Sequence, residues 1–295
     1  MDRRKFLTVT GAAGVAAVWG STIGCAKGTS VAAMSAGSTP SGKFSINSVG
    51  LQLYTVRTIL EKDPVGGIQQ VAAAGYHLVE TAGLYGKTAA EIRALFDANG
   101  IRTPSGHYGI DELEKSPDTV FATAHTLGQE FVTLNWLAPN LRTQEFYAGF
   151  PARLNKIGAA AKAAGLKFAY HNHDFEFETF GGSTAVLDRL LAGTDPSLVN
   201  FEMDAYWVYK AGSDPRAYVE KYPGRFAMIH IKDSTPAPAK AMADVGKGVI
   251  DFGSLLASAR TRGLRYAFVE RDDTQDPIAT IRTSHEFLTT LLASR

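Results

Sequence analysis

Histidines and carboxylates recur in this chain at the ends of short apolar runs. His171-Asn172-His173-Asp174 closes one run, Glu202 and Asp204 lie in another, and His230-Ile231-Lys232-Asp233 closes a third. Glu270, followed by Asp272, closes the last, while Glu80, His107 and Asn135-Trp136 end three earlier ones. Of the 7 histidines, His77, His125 and His285 fall elsewhere. Strand side chains alternate, so His171 with His173, and Glu202 with Asp204, point the same way if those runs are strands. Imidazoles and carboxylates converging without thiolates suit one divalent ion of Mn, Mg, Zn, Co or Fe. The competing reading is a rim of ion pairs, Glu202 or Glu270 with Lys232. A single lysine is thin compensation for Glu202, Asp204 and Glu270 together, and buried carboxylates need counter-charge. Trp136 and Trp207 are placed either to stack on the apolar face of a sugar or to cap the fold. Gly246-Lys247-Gly248 offers backbone to a ligand, or forms a plain turn.

These residues are positioned by an alternation of strand and helix. Strand candidates are Val49–Tyr54, Leu78–Thr81, Thr103–His107, Phe131–Asn135, Lys167–His171, Val199–Asp204, Phe226–Ile231 and Tyr266–Glu270. Helical stretches such as Thr88–Asn99, Phe146–Ala164 and Pro277–Leu292 separate them. Thr88-Ala89-Ala90-Glu91 reads as a capping box. Gly75, Gly100, Gly165 and Gly263 sit where a helix end wants positive φ. Eight strand–helix units over residues 44–295 predict an α/β fold, a (β/α)8 TIM barrel with its chemistry at the C-terminal strand ends. No Gly-x-Gly-x-x-Gly follows the first strand, which argues against an open dinucleotide-binding sheet.

The strand-end segments Tyr170–Phe177, Glu202–Trp207, His230–Asp233, Gly246–Gly248 and Val269-Glu270 together resemble the xylose-isomerase-like barrel superfamily. The match covers the chain after Lys43, and within the superfamily the chain is similar to exported "sugar phosphate isomerase/epimerase" proteins. The superfamily also holds inosose dehydratases, ketose 3-epimerases and metal-dependent apurinic endonucleases. In the ketose epimerases Glu, Asp, His and Glu from strands five to eight hold the metal. Carried over singly, these imply Asp204, His230 and Glu270, with His171 where the first glutamate stands. Glu202 and His173 are substitutes for that fourth ligand. The departure at His171 weakens a symmetric two-glutamate epimerase. A His–Glu pair suits dehydration, isomerisation or β-elimination equally.

The resemblance implies a metal-dependent isomerase or epimerase acting on a sugar or keto-sugar through α-proton abstraction and an enediolate. Glu270, His171 and His173 are the catalytic candidates; His107, Trp136, Trp207 and Lys232 are the substrate-binding ones. The first alternative is a lyase or hydratase acting on 3-keto-glycosides or inososes. The second, of another class, is a non-catalytic periplasmic sugar-binding barrel. Lys and Arg number 30 against 29 Asp and Glu, so no global charge draws the chain to nucleic acid.

The N-terminus reads as an export signal. Arg3-Arg4-Lys5-Phe6-Leu7 precedes an uncharged run, and the pattern is of twin-arginine type. Cys25, the sole cysteine, follows Thr22-Ile23-Gly24 and is either a lipidation site or a bystander within a longer discarded peptide. Residues 1–25 are thus expected to be signal, 26–43 a flexible tether and 44–295 the barrel. That places the protein in the periplasm or, by lipid, at the envelope, with the membrane reached only through the anchor.

Overall fold

A computed structural model describes residues 44–293. The expected signal, Cys25 and the tether lie outside the described residues. Eight parallel strands close a barrel in the order β1-β10-β7-β6-β5-β4-β3-β2. They are β1 (Val49–Gln52), β2 (Leu78–Thr81), β3 (Arg102–Tyr108), β4 (Phe131–Leu134), β5 (Lys167–His171), β6 (Val199–Asp204), β7 (Phe226–Ile231) and β10 (Tyr266–Val269). Between the last two, β8 (Asp233–Ser234) and β9 (Met242–Ala243) form a small antiparallel hairpin that the sequence reading leaves as loop.

Alternation along each strand builds two separate interiors. In β6, Val199, Phe201 and Met203 face outward into the large core between strands and helices. Ile229 and Ile231 of β7, and Ala267 and Val269 of β10, do the same. The opposite faces fill the barrel. Leu78, Phe131, Ala169, Met228, Tyr266 and Phe268 form a compact apolar floor. One residue pair further along, the same faces carry Glu80, Thr133, His171, His230 and Glu270, all buried. Apart from β3, the strands are therefore mainly apolar until their C-terminal ends, as expected of parallel strands covered on both faces.

Local chemistry sets the boundaries. β1 stops at Gln52, short of the expected Tyr54, because the Gln52 side chain accepts from Tyr54 N at 3.1 Å and turns the chain into the 3-10 turn Leu53–Val56. Thr88 Oγ1 accepts from Glu91 N at 3.2 Å while Glu91 Oε2 accepts from Thr88 N at 2.7 Å, the capping box read from the sequence. Gly75, Gly100, Gly165 and Gly263 take φ of 95°, 64°, 76° and 98°, each just before a strand.

The glycine loop after β9 serves the fold. Asp233 is buried, and its Oδ2 accepts from Gly246 N at 2.9 Å and Gly248 N at 3.0 Å. Its Oδ1 accepts from Ser234 N at 2.8 Å and Ile250 N at 3.2 Å. A Cβ on Gly248 would stand 2.2 Å from Asp233 Oδ1, so only glycine lets the backbone come this close.

Candidate active site

The cluster is assembled by strand register. Across the ladder His171 pairs with Glu202, and Asp204 with His230. Gln52 and Ser105 lie beside Glu80 on the neighbouring strands. Asp204 is further fixed by a second duty. It caps the helix Ala205–Lys210, its Oδ1 accepting from Trp207 N at 3.1 Å, which turns Oδ2 towards the cluster.

One glutamate oxygen gathers three imidazoles. Glu202 Oε2 lies 2.8 Å from His107 Nε2, 3.0 Å from His171 Nδ1 and 3.1 Å from His230 Nε2. Glu80 Oε2 lies 2.7 Å from His230 Nε2 and 3.1 Å from His107 Nε2, and it accepts from Gln52 Nε2 at 2.7 Å. Ser105 Oγ donates to Glu80 Oε1 at 2.5 Å. On the far side of His230, Nδ1 lies 2.9 Å from Glu270 Oε2. Lys232 Nζ sits 2.9 Å from the same oxygen, 2.7 Å from Asp272 Oδ1 and 3.4 Å from Asp204 Oδ2.

Charge follows this geometry. Burial works against a charged His107, yet Glu80 and Glu202 outweigh it and raise the imidazole to about 9. His230 is likewise held well above the ordinary imidazole range, by Glu202 and Glu270 against the pull of burial. His171 goes the other way. Burial and the neighbouring charge on His230 lower it to about 4, so it is a neutral ring at physiological pH. Burial raises Asp204 to about 7. Glu270, despite its burial, is held well below the usual carboxylate range by Lys232 and His230.

The donors form two groups, each within 4.8 Å: His107, His171, Glu202 and His230 in one, Asp204, His230 and Glu270 in the other. His230 is common to both. Of the four ligands expected from the sequence, Asp204, His230 and Glu270 thus come together, while His171 joins Glu202 and His107. The ion-pair reading is present too, since Lys232 stands between Glu270, Asp272 and Asp204. Glu202 Oε1 is buried without a hydrogen-bond partner, and the buried Asp204 Oδ2 has an ion pair with Lys232 at 3.4 Å but no hydrogen bond. Buried carboxylate oxygens left short of donors beside imidazole nitrogens, with no sulfur, fit a divalent ion.

A cavity of about 600 Å³ opens at the C-terminal mouth, lined by His107, His171, His173, Trp136, Trp207, Lys232 and Glu270. Glu202, Asp204 and His230 lie beneath its wall, fully buried. His173 is held by Glu176, whose Oε2 accepts from His173 N at 2.8 Å and whose other oxygen accepts from the Tyr170 hydroxyl. His173 Nδ1 and Trp207 Nε1 are buried without partners. Sequence reasoning gave Glu80, Glu176, Tyr54 and Arg142 no role. Only Glu80 carried a signal, its place at a strand end beside the ends of β1 and β3.

A parallel barrel with an imidazole–carboxylate cluster at the mouth defines a known class. Residues 68–291 match the model of the xylose isomerase-like TIM barrel, and the chain belongs to that family. An inosose dehydratase of Clostridium tetani is 34% identical over 91 residues, 31% of this chain and 30% of that protein. One of Clostridium beijerinckii is 23% identical over 187 residues, 56% of this chain and 62% of that protein. The chain therefore spans less than two thirds of the length of these relatives. Among solved structures, a sugar phosphate isomerase/epimerase from Parabacteroides distasonis superposes with TM-score 0.71 at 23% identity, covering 87% of this chain and 98% of that one. IolI with a bound zinc atom gives TM-score 0.65 at 15% identity over 84% and 98%.

Proposed function

We propose that the protein is a divalent-metal-dependent enzyme that moves a proton on the carbon beside the carbonyl of a sugar or keto-sugar. The observation that carries this reading is the pair of donor groups meeting at His230, with the buried Glu202 Oε1 lacking any hydrogen-bond partner, directly under a cavity of sugar size. Once bound, the ion would supply Lewis acidity towards adjacent substrate oxygens. The chain's own groups do the rest. Glu270 lines the cavity and is ionised; its Oε2 is engaged by His230 and Lys232, and no hydrogen bond from the described residues reaches Oε1. Oε1 is the atom that takes the α-proton. His171, neutral and with Nδ1 turned to Glu202, is the second proton carrier. Lys232, raised further by its three carboxylates against burial, stays an ammonium and steadies a developing oxyanion. Trp207 walls the cavity beside it.

Return of the proton to another carbon or face is isomerisation or epimerisation. Loss of a β-oxygen instead is dehydration or lyase chemistry, a second reading favoured by the inosose dehydratases among the relatives. The test is metal loading followed by deuterium uptake from solvent into ketoses, inososes and 3-keto-glycosides. Exchange is expected with at least one class, and Glu270→Gln should slow it at least about a hundredfold, the scale of general base catalysis. Full exchange restored to Glu270→Gln by saturating metal would make the residue a ligand only and move the base to His171 or His173. A fully metallated wild type without exchange would leave the sugar-binding barrel as the better account.

A further inference from the structure

A column of flat groups descends one wall of the cavity. The Arg142 guanidinium lies 4.9 Å from the ring centre of Trp136 and 3.7 Å from that of Phe175. Phe175 in turn stacks on His173, with centroids 5.2 Å apart and planes 9° from parallel. Trp136 is 45% exposed at the rim, so the column runs from solvent towards the histidines. Arg142 Nε donates to Leu137 O at 2.9 Å, which with the two faces fixes the guanidinium plane.

Among the described residues no hydrogen bond or ion pair reaches Nη1 or Nη2 of Arg142. The neighbouring acids are committed elsewhere. Asp174 pairs with Lys210 at 3.7 Å, and both oxygens of buried Glu176 are taken by Tyr170 and His173. Lys232, the other strong base on the wall, is neutralised by Glu270, Asp272 and Asp204. A rigid planar fork with its outer edge unclaimed matches a planar carboxylate through two parallel hydrogen bonds. A phosphate dianion would ask for further free cations or a run of backbone N–H groups, and the only other lysine or arginine among the lining residues, Lys232, is already paired.

We propose that Arg142 is a specificity-determining residue, and that the substrate is a sugar acid whose carboxylate docks on it while the carbonyl end reaches Glu270 and Lys232. This rests on the proton-transfer reading of the cavity, but the two fail separately. Calorimetric titration of the full chain with glucuronate, glucose and glucose 6-phosphate reads it directly. Glucuronate should bind at least about tenfold more tightly than glucose and no more weakly than the phosphate, the scale of a charge-assisted bidentate contact. In Arg142→Met the glucuronate-to-glucose ratio should fall to about one. Arg142→Lys, which keeps the charge but loses the fork, should recover only a minor part of it. Equal binding of glucuronate and glucose by the wild type, or a preference that survives Arg142→Met, overturns the assignment. So does tighter glucose 6-phosphate binding that Arg142→Met abolishes, which would make the arginine a phosphate reader. Arg142-dependent uronate binding without solvent exchange on any substrate sinks the proton-transfer reading and leaves this one standing.

Discussion

At the scale of single residues, the site is a contest between burial and pairing. Two imidazoles a few ångströms apart take opposite charge states: His107 carries a proton because Glu80 and Glu202 face it, and His171 is emptied by burial and by His230. A metal ion binding through His107 or His230 has to displace a proton that is held more tightly than usual. Affinity for zinc should therefore rise with pH from about 6 to 8, about tenfold per unit for each proton displaced, with matching proton release in calorimetry. A flat profile would show that neither imidazole is a ligand. The two donor groups can be told apart as well. Glu202→Gln should cost most of the affinity if the ion sits among His107, His171 and His230, and Asp204→Asn if it sits with Glu270. His230→Ala should remove it in either case, by at least about a hundredfold. An ion retained by His230→Ala would lie outside both groups.

At the scale of elements, most barrel strands were legible because they are short apolar runs followed by polar residues, and a positive-φ glycine stands just before β2, β3, β5 and β10. What the sequence concealed are contacts between distant segments. Glu80 meets Ser105, Gln52 and His230 across 25, 28 and 150 residues, so beyond its place at a strand end nothing in its own neighbourhood shows which partners it has. Arg142 and Phe175 come together only because the loops after β4 and β5 are neighbours at the mouth. The Asp233 turn is similar, three of its four amide donors lying 13 to 17 residues along the chain. Gly246-Lys247-Gly248, open in the sequence to a ligand-facing role, turns its two glycine amides to this carboxylate. Gly248→Ala should accordingly lower stability by more than about 2 kcal/mol, since the new methyl collides with Asp233 and with Ser234 O, 2.4 Å away. Asp233→Asn, which keeps one accepting oxygen where four backbone amides now share two, should be destabilising in the same direction. Thermal melts check both, and an unchanged midpoint in either would mean that the loop tolerates losing this anchor.

At the scale of the molecule, we propose that the barrel works outside the cytoplasm, on the strength of Arg3-Arg4 and the uncharged run behind them. Arg3→Lys with Arg4→Lys should hold the precursor in the cytoplasm, and Cys25→Ser should abolish any lipid labelling; cell fractionation and labelled fatty acid read the two. Normal export of the double variant would remove the twin-arginine assignment. The apolar floor of Leu78, Phe131, Ala169, Met228, Tyr266 and Phe268 seals the barrel directly under the cluster. Below it Glu130 ties Lys167 at 2.6 Å to Arg265 at 2.7 Å. The cavity is a cul-de-sac. Whatever is made there leaves by the door through which the starting material came, past the same tryptophans and the same arginine. Product and substrate exclude each other at that door, so accumulated product should raise the apparent KM and leave the maximal rate untouched.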